Sequence, residues 1–416
     1  TSNIKFKNFD ISKKINKRNF NKEGWFKKIK LLDSLKSNYK YSYSKNLIKK
    51  IKNFRNETWF KKIQFFDSLK HNYNYSYTKI QIRKIKKNKN FRIIGMGGST
   101  LGIEAIYQFL NHKIKKKFIF INNLNPQIKD EQKKIKATNI IISKSGNTLE
   151  TIANSNLLIK GSKNIFITED KKSYLSELAN ILKAEIIEHK NYIGGRYSVL
   201  SEVGMLPAEI MGLNEKKFKR FNYLINNNNF LNGLIKNVSA ILKFVKEKKF
   251  NSIILNYDKN SENLFKWYQQ LVAESLGKKS RGILPVISTM PKDNHSLLQL
   301  YLDGPKNNFF TFFSTLDSNS DKINNKWLNK NQNYLRNKSF SKIINAQKNA
   351  TEKVFYKKKL PFRSFEIKNR NEEVLGELFC FFILETILLG RALKVNPFDQ
   401  PSVEIIKKET KKILFN

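Results

Sequence analysis

The chain has 416 residues, 40% of them hydrophobic and 12% aromatic, which is enough apolar material for one large core or two smaller ones in an ordinary globular protein. Its 79 Lys and Arg against 34 Asp and Glu give a formal net charge of +45. The excess is nearly all lysine and comes with much Asn, Ile, Phe and Tyr, as A/T-rich codons would produce, so it does not point to a specific nucleic-acid partner. A single cysteine, Cys380, excludes an internal disulfide framework and fits a cytoplasmic, reducing home.

The start, Thr1-Ser2-Asn3-Ile4-Lys5-Phe6-Lys7, is polar and basic and lacks the apolar stretch of a secretory signal, so no export is expected. Residues 1–90 read as a helical segment with one internal duplication. Trp25-Phe26-Lys27-Lys28-Ile29 returns as Trp59-Phe60-Lys61-Lys62-Ile63, Asp33-Ser34-Leu35-Lys36 as Asp67-Ser68-Leu69-Lys70, and Tyr39-x-Tyr41-x-Tyr43 as Tyr73-x-Tyr75-x-Tyr77, at a constant offset of 34 residues. Two copies are too few for a stacked solenoid. A local duplication explains them; alternatively, the interleaved Tyr and Lys could stack bases and contact phosphates.

Beyond residue 90 short β-rich runs alternate with helical ones, the pattern of parallel α/β units. Strands are predicted at Phe91–Ile94, Phe118–Ile121, Asn139–Ile142, Asn164–Ile167, Ser252–Asn256 and Phe309–Phe313. Helices are predicted at Ser99–Leu110, Thr148–Ile159, Leu264–Leu276, His295–Leu302, Glu373–Leu393 and Ser402–Leu414. Two parallel sheets fit this spacing, one in residues 91–235 and one in 236–416, joined by helical chain over Asn214–Lys249. The most apolar run, Leu375–Leu389, is interrupted by Glu377 and Glu385 and is shorter than a membrane span, so it reads as a core helix and no membrane partner is expected.

Two loops carry the first chemical signals. Ile94-Gly95-Met96-Gly97-Gly98-Ser99 lies between a strand and a helix, where backbone amides can approach a ligand. Thr100 stands where a dinucleotide fingerprint needs Gly or Ala, and no Gly-Lys-Ser/Thr ending makes it a Walker loop. Alone it could equally be a structural turn. Ser143-Lys144-Ser145-Gly146-Asn147-Thr148-Leu149-Glu150-Thr151 gathers hydroxyls and a lysine at a helix N-terminus, a seat for a phosphate monoester. Asn147 and Glu150 also have the spacing of a capping pair, but capping does not explain three hydroxyls and a lysine together.

These loops resemble the paired phosphosugar loops of sugar isomerase domains, and four later segments narrow the resemblance to the glucose-6-phosphate isomerase family. Ile193-Gly194-Gly195-Arg196-Tyr197-Ser198, with Gly204 beyond, is similar to its Gly-Gly-Arg-Phe/Tyr-Ser signature. Glu274-Ser275-Leu276-Gly277-Lys278 matches its Glu-Ser-x-Gly-Lys segment, and Asn294-His295-Ser296 falls where the family carries a histidine. Phe398-Asp399-Gln400-Pro401-Ser402-Val403-Glu404-Ile405-Ile406-Lys407 resembles the C-terminal signature. The resemblance runs from about Phe91 to the end; Thr100 and Ser402 depart from the family pattern.

The resemblance implies two sugar isomerase domains, each a five-stranded parallel sheet flanked by helices, with helical segments at both ends. It further implies a cytoplasmic homodimer that interconverts glucose 6-phosphate and fructose 6-phosphate through an enediolate, without cofactor or metal. Glu274 would be the base that moves the proton between adjacent carbons, and Arg196 the fixed charge facing the enediolate oxygen. His295, supplied across the dimer interface, would open the sugar ring, a task suited to a side chain that titrates near neutrality, together with Lys407. Ser99, Ser143, Lys144, Ser145 and Thr148 would hold the phosphate, and Gly97, Gly98, Gln270 and Gln400 would line the sugar site. His71, His112 and His189 have no such context, and no paired histidine spacing suggests a metal. Rival readings are a dual phosphoglucose/phosphomannose isomerase or another ketose phosphate isomerase, a non-catalytic phosphosugar-sensing domain, and a nucleic-acid module.

Overall fold

The computed structural model describes residues 64–127, 135–160, 162–316 and 320–415, and the strand at residues 4–7 without its side chains. The first copy of the duplication lies outside these residues. Two sheets organise the rest. The first runs in the order β3-β2-β4-β5-β6 and is parallel throughout, with β2 Asn90–Gly95, β3 Lys117–Ile121, β4 Thr138–Ile142, β5 Asn164–Thr168 and β6 Glu185–Glu188. Its central strands are apolar on both faces because helices cover both: every residue of β4 and of β5 is buried.

The second sheet has the order β1-β10-β9-β7-β8, with β7 Asn251–Asn256, β8 Leu284–Thr289, β9 Asn308–Thr315 and β10 Phe362–Ile367 parallel to one another. Its fifth strand, β1 Ile4–Lys7, comes from the start of the chain and pairs antiparallel with β10, an element the sequence reading did not contain. In both sheets the chain steps from the first strand to one neighbour and then to the other. The C-terminal ends of β2 and β4 therefore flank a switch point, where ligands of open α/β sheets bind.

The helices follow the apolar spacing closely. The chain runs through α1 Lys79–Ile85, α2 Leu101–Phe109, α3 Leu149–Leu158, α4 Tyr174–Ile181, α5 Glu202–Ile210, α6 Phe221–Ile225, α7 Asn228–Lys246 and α8 Glu262–Leu276. It continues with α9 Leu298–Asp303, α10 Phe340–Lys357, α11 Glu372–Ala392 and α12 Pro401–Phe415. α11 is capped by the Asn371 side chain, which accepts from the Val374 amide at 2.8 Å, and it is buried on all sides. Cys380 lies inside it, with burial pushing its thiol up to about 12. Glu385 accepts from Arg363 on β10, which satisfies two charges that the apolar run alone would leave unpaired. No described helix is long and apolar enough to cross a membrane.

One continuous core joins the two sheets. Ile140 and Ile142 of β4, Ile254 of β7 and Phe313 of β9 belong to the same buried cluster as α2, α8 and α11. Between the sheets α8 packs on α2, where Gln108 accepts from the Asn263 amide at 2.8 Å. This places the C-terminal half of α8 beside the loop that follows β2.

The described part of the duplication packs inward. The Tyr73 hydroxyl donates to Glu202 at 2.9 Å and Tyr77 to Glu209 at 2.8 Å. The buried Lys219 ammonium lies 5.0 Å from the Tyr73 ring centre and 4.9 Å from that of Tyr75. In this copy the tyrosines anchor the N-terminal segment to α5, so the base-stacking alternative does not hold.

Candidate active site

The first loop is shaped by what crosses it. Gly97 has φ +53, and a Cβ there would sit 2.7 Å from Gln270 Nε2. At Gly98 a Cβ would come within 2.3 Å of the Gly195 carbonyl carbon. Both positions require glycine because the turn Gly195–Leu200 and the α8 side chains close directly over them. Ser99 is half-buried in the turn Gly97–Ser99, and Thr100 is turned into the protein, 1% exposed.

That contact brings Arg196 and Glu274 together. Arg196 Nη1 donates to Glu274 Oε2 at 3.0 Å, while Gln270, one helical turn earlier, donates from Nε2 to Glu274 Oε1 at 2.8 Å. Each carboxylate oxygen thus has its own donor, and the Glu274 side chain keeps 30% exposure. The Gln270 carbonyl oxygen is buried and accepts no hydrogen bond from the protein. Arg196 also donates to Gln400 Oε1 at 2.6 Å, the Pro397 carbonyl at 2.7 Å, the Asp399 carbonyl at 3.0 Å and Ser275 Oγ at 2.9 Å. Lys278 holds the same C-terminal segment, bonding the Asn396 carbonyl and pairing with Asp399 at 2.9 Å. The Lys278 hydrogen bond is the main reason that the Asp399 carboxyl titrates below its usual range.

The second loop leaves β4 beside the first. Ser143 Oγ and Thr148 Oγ1 lie 2.8 Å apart at the N-terminus of α3, and the exposed Ser145 accepts from the Asn147 amide at 3.2 Å. Gly146, at φ +68, passes so close to Ser173 that a Cβ would stand 2.1 Å from its hydroxyl. Asn147 corrects the capping expectation. The helix starts at Leu149 behind the N-cap residue Thr148, with no side-chain cap; Asn147 Oδ1 accepts from the Tyr174 amide at 2.9 Å and ties the loop to the start of α4. The α3 amides are thereby left uncapped by a side chain, as an anion seat requires.

Lys144 donates to the Asn191 carbonyl at 2.7 Å and lies 3.5 Å from Glu169. Burial holds its ammonium below the usual lysine range, against the opposing pull of Glu169. Behind it His189 is buried, and that burial pushes its imidazole down to about 4.

His295 ends a short turn, Lys292–His295, after β8 and is exposed. Among the described residues it makes no hydrogen bond or ion pair with Glu274 or Arg196. The predicted helix from His295 begins only at Leu298. Lys407 lies on α12, a helix with no buried residue, where its Nζ pairs with Glu404 at 2.7 Å. The chain therefore unites Arg196, Glu274, Gln270, Gln400, Gly97 and Gly98, and places the Ser143–Thr148 loop at the same sheet edge, while His295 and Lys407 stand apart. The sequence reading gave no role to Tyr197, Ser275 or Lys278; the only signal for them was adjacency to Arg196 and Glu274. Among the described residues no three His, Cys, Asp or Glu side chains form a group that could hold a metal.

Fold and site together define a protein of the double sugar-isomerase-domain class. The family model for phosphoglucose isomerase matches residues 77–289. A glucose-6-phosphate isomerase of Methanocaldococcus jannaschii is 32% identical over 338 residues, covering 77% of this chain and 83% of the relative. One from Mycoplasmopsis pulmonis is 34% identical over 352 residues, covering 77% and 82%. The chain belongs to the phosphoglucose isomerase family. Among solved structures, a hypothetical protein of Thermus thermophilus superposes with a TM-score of 0.77 at 22% identity, covering 89% of this chain and 95% of that one. A glucose-6-phosphate isomerase of Chlamydia trachomatis superposes with a TM-score of 0.68 at 19% identity, covering 80% and 71%. At those identities the superpositions speak for the fold.

Proposed function

We propose that this protein interconverts glucose 6-phosphate and fructose 6-phosphate, an aldose–ketose isomerisation in glycolysis and gluconeogenesis. The observation that carries this reading is the Glu274 carboxylate, held between Arg196 and Gln270 beside the glycine loop.

In this reading the phosphate sits on the α3 N-terminus with Ser143, Ser145 and Thr148, joined by Ser99 from the first loop and by Lys144 once it leaves Asn191. Remote binding of the phosphate orients C-1 and C-2 over Glu274. Glu274 removes the C-2 proton as O-1 gains one, giving the enediol. It then returns a proton to C-1 while O-2 loses its own and becomes the ketose carbonyl. Arg196, whose charge is permanent, faces the oxygen that becomes negative. Gln270 and Gln400, which bond Glu274 and Arg196, line the sugar side of the site in this reading.

Ring opening is assigned to His295 and Lys407. Because both stand apart from Glu274 in one chain, the reading includes a homodimer in which His295 completes the neighbour's site; its exposure supports this. The exposed Ile406, Ile413 and Leu414 on α12 also suit burial in an assembly. The sugar domains are taken as residues 91–235 and 236–416, and the compartment as the cytoplasm. Coupled assays with glucose, mannose and glucosamine 6-phosphates test the function: turnover confined to the glucose–fructose pair is expected, and no isomerisation of glucose 6-phosphate by the purified dimer would overturn it.

A further inference from the structure

Behind Arg196 lies a closed ring of hydrogen bonds. Arg196 Nε donates to Ser275 Oγ at 2.9 Å, Ser275 Oγ lies 2.8 Å from the Tyr197 hydroxyl, and that hydroxyl donates to the Pro397 carbonyl at 2.8 Å. Arg196 Nη2 donates to the same carbonyl at 2.7 Å and completes the ring. The direction of every bond is fixed. A carbonyl only accepts, so the single Tyr197 proton points to Pro397, and the Ser275 hydroxyl must then donate to Tyr197. That orientation turns a Ser275 lone pair toward Arg196 Nε.

Tyr197 and Ser275 are both wholly buried. The Tyr197 ring is fixed by Phe65 and Phe398, at 4.7 and 5.7 Å between centres, and the guanidinium carbon lies 5.3 Å from it. Glu274 and Gln400 are bound by a different nitrogen, Nη1.

We propose that Tyr197 and Ser275 are positioning residues for the isomerisation: their ordered hydroxyls fix the plane of the Arg196 guanidinium and lock it to the Pro397 segment that carries Gln400. The proposal rests on the reading of Arg196 as the enediolate partner. Removing the Tyr197 hydroxyl leaves the Ser275 proton without an acceptor. A buried helical serine then turns to a carbonyl of the preceding turn, and its lone pair leaves Arg196 Nε. The two hydroxyls act in series, so losing either has the effect of losing both.

The test compares wild type with Tyr197→Phe, Ser275→Ala and the double variant in two measurements. Tyr197→Phe keeps the ring packing and so keeps the fold. In steady-state assays each single variant should lower kcat roughly tenfold, as misplaced catalytic groups do, with KM within about twofold because the phosphate loop is untouched. The double variant should match the singles rather than multiply them. In nitrogen–proton spectra of the free protein, the Arg196 Nε–H signal should shift and exchange faster with solvent in all three. Unchanged kcat, or losses that multiply in the double variant, would overturn the positioning role. An unmoved Nε–H signal would overturn the hydrogen-bond chain itself, and wild type without isomerase activity would overturn instead the reading of the site and the catalytic role with it.

Discussion

Arg196→Lys separates charge from geometry at the centre of the site. The guanidinium is 3% exposed and donates to five acceptors: Ser275, Glu274, Gln400 and the carbonyls of Pro397 and Asp399. A lysine keeps the positive charge but offers its protons from one point. It can face Glu274 and a neighbour, yet it cannot span Ser275 and the C-terminal segment together. Losing three of these five hydrogen bonds, each charge-assisted and worth about 1.5 kcal/mol, lowers stability by about 4 kcal/mol. The enediolate loses a preorganised donor worth about 3 kcal/mol, so kcat should fall on the order of a hundredfold. Steady-state kinetics in both directions, with urea unfolding of the same preparation, measure the two effects. Inorganic phosphate should inhibit wild type and variant alike, since its proposed seat lies on another loop. Turnover within about threefold of wild type in a folded variant would refute the role given to the guanidinium.

Replacing Ser143 and Thr148 together by Ala removes both hydroxyls at the α3 N-terminus; KM for glucose 6-phosphate should rise at least tenfold, the cost of about one charge-assisted hydrogen bond, and unchanged affinity would move the phosphate elsewhere. Burial pushes the Lys219 ammonium down to about 7 from an ordinary 10.5. Between those values the unfolded chain holds a proton that the folded chain has released, so this lysine makes stability rise with pH across that window, by up to about 1.4 kcal/mol per pH unit. Lys219→Met should flatten that rise in denaturant titrations from pH 7 to 9, and an identical slope would mean that the ammonium stays charged between the tyrosine rings. His295→Ala should fail chiefly on cyclic substrates and still work on an acyclic tetrose phosphate; equal losses on both, with the dimer intact, would remove ring opening from its role.

Much of the fold was legible because parallel strands buried on both faces are short apolar runs. The runs Asn139–Ile142, Asn164–Ile167 and Phe309–Phe313 fall within a residue or two of β4, β5 and β9. Besides β1, the three missed strands disguise that signal. β6 lies at a sheet edge and is flanked by Glu185 and Glu188. β8 is also an edge strand and tolerates Pro285, whose missing amide faces no partner. β10 carries Arg363, which is buried only because Glu385 on distant α11 pairs with it.

The candidate site was legible where telling residue types gather in a compact motif, as at Arg196, Glu274 and Ser143–Thr148. Its supports were not. Ser275 and Tyr197 meet the Pro397 segment across long stretches of chain, and nothing local indicates which way their hydroxyls point. Asn147 misled for a related reason: its capping spacing was present, but the Tyr174 amide at the start of α4 took the side chain.

The central claim is that Glu274 carries the proton between neighbouring carbons of a hexose phosphate. Glucose 6-phosphate incubated with the enzyme in deuterium oxide measures this directly by proton NMR. Wild type should form fructose 6-phosphate and exchange the C-2 proton of the returning glucose 6-phosphate for deuterium. Glu274→Gln, which cannot accept the proton, should bind the sugar phosphate yet show neither conversion nor exchange above background. Exchange at a rate near wild type in the Gln variant would contradict the account.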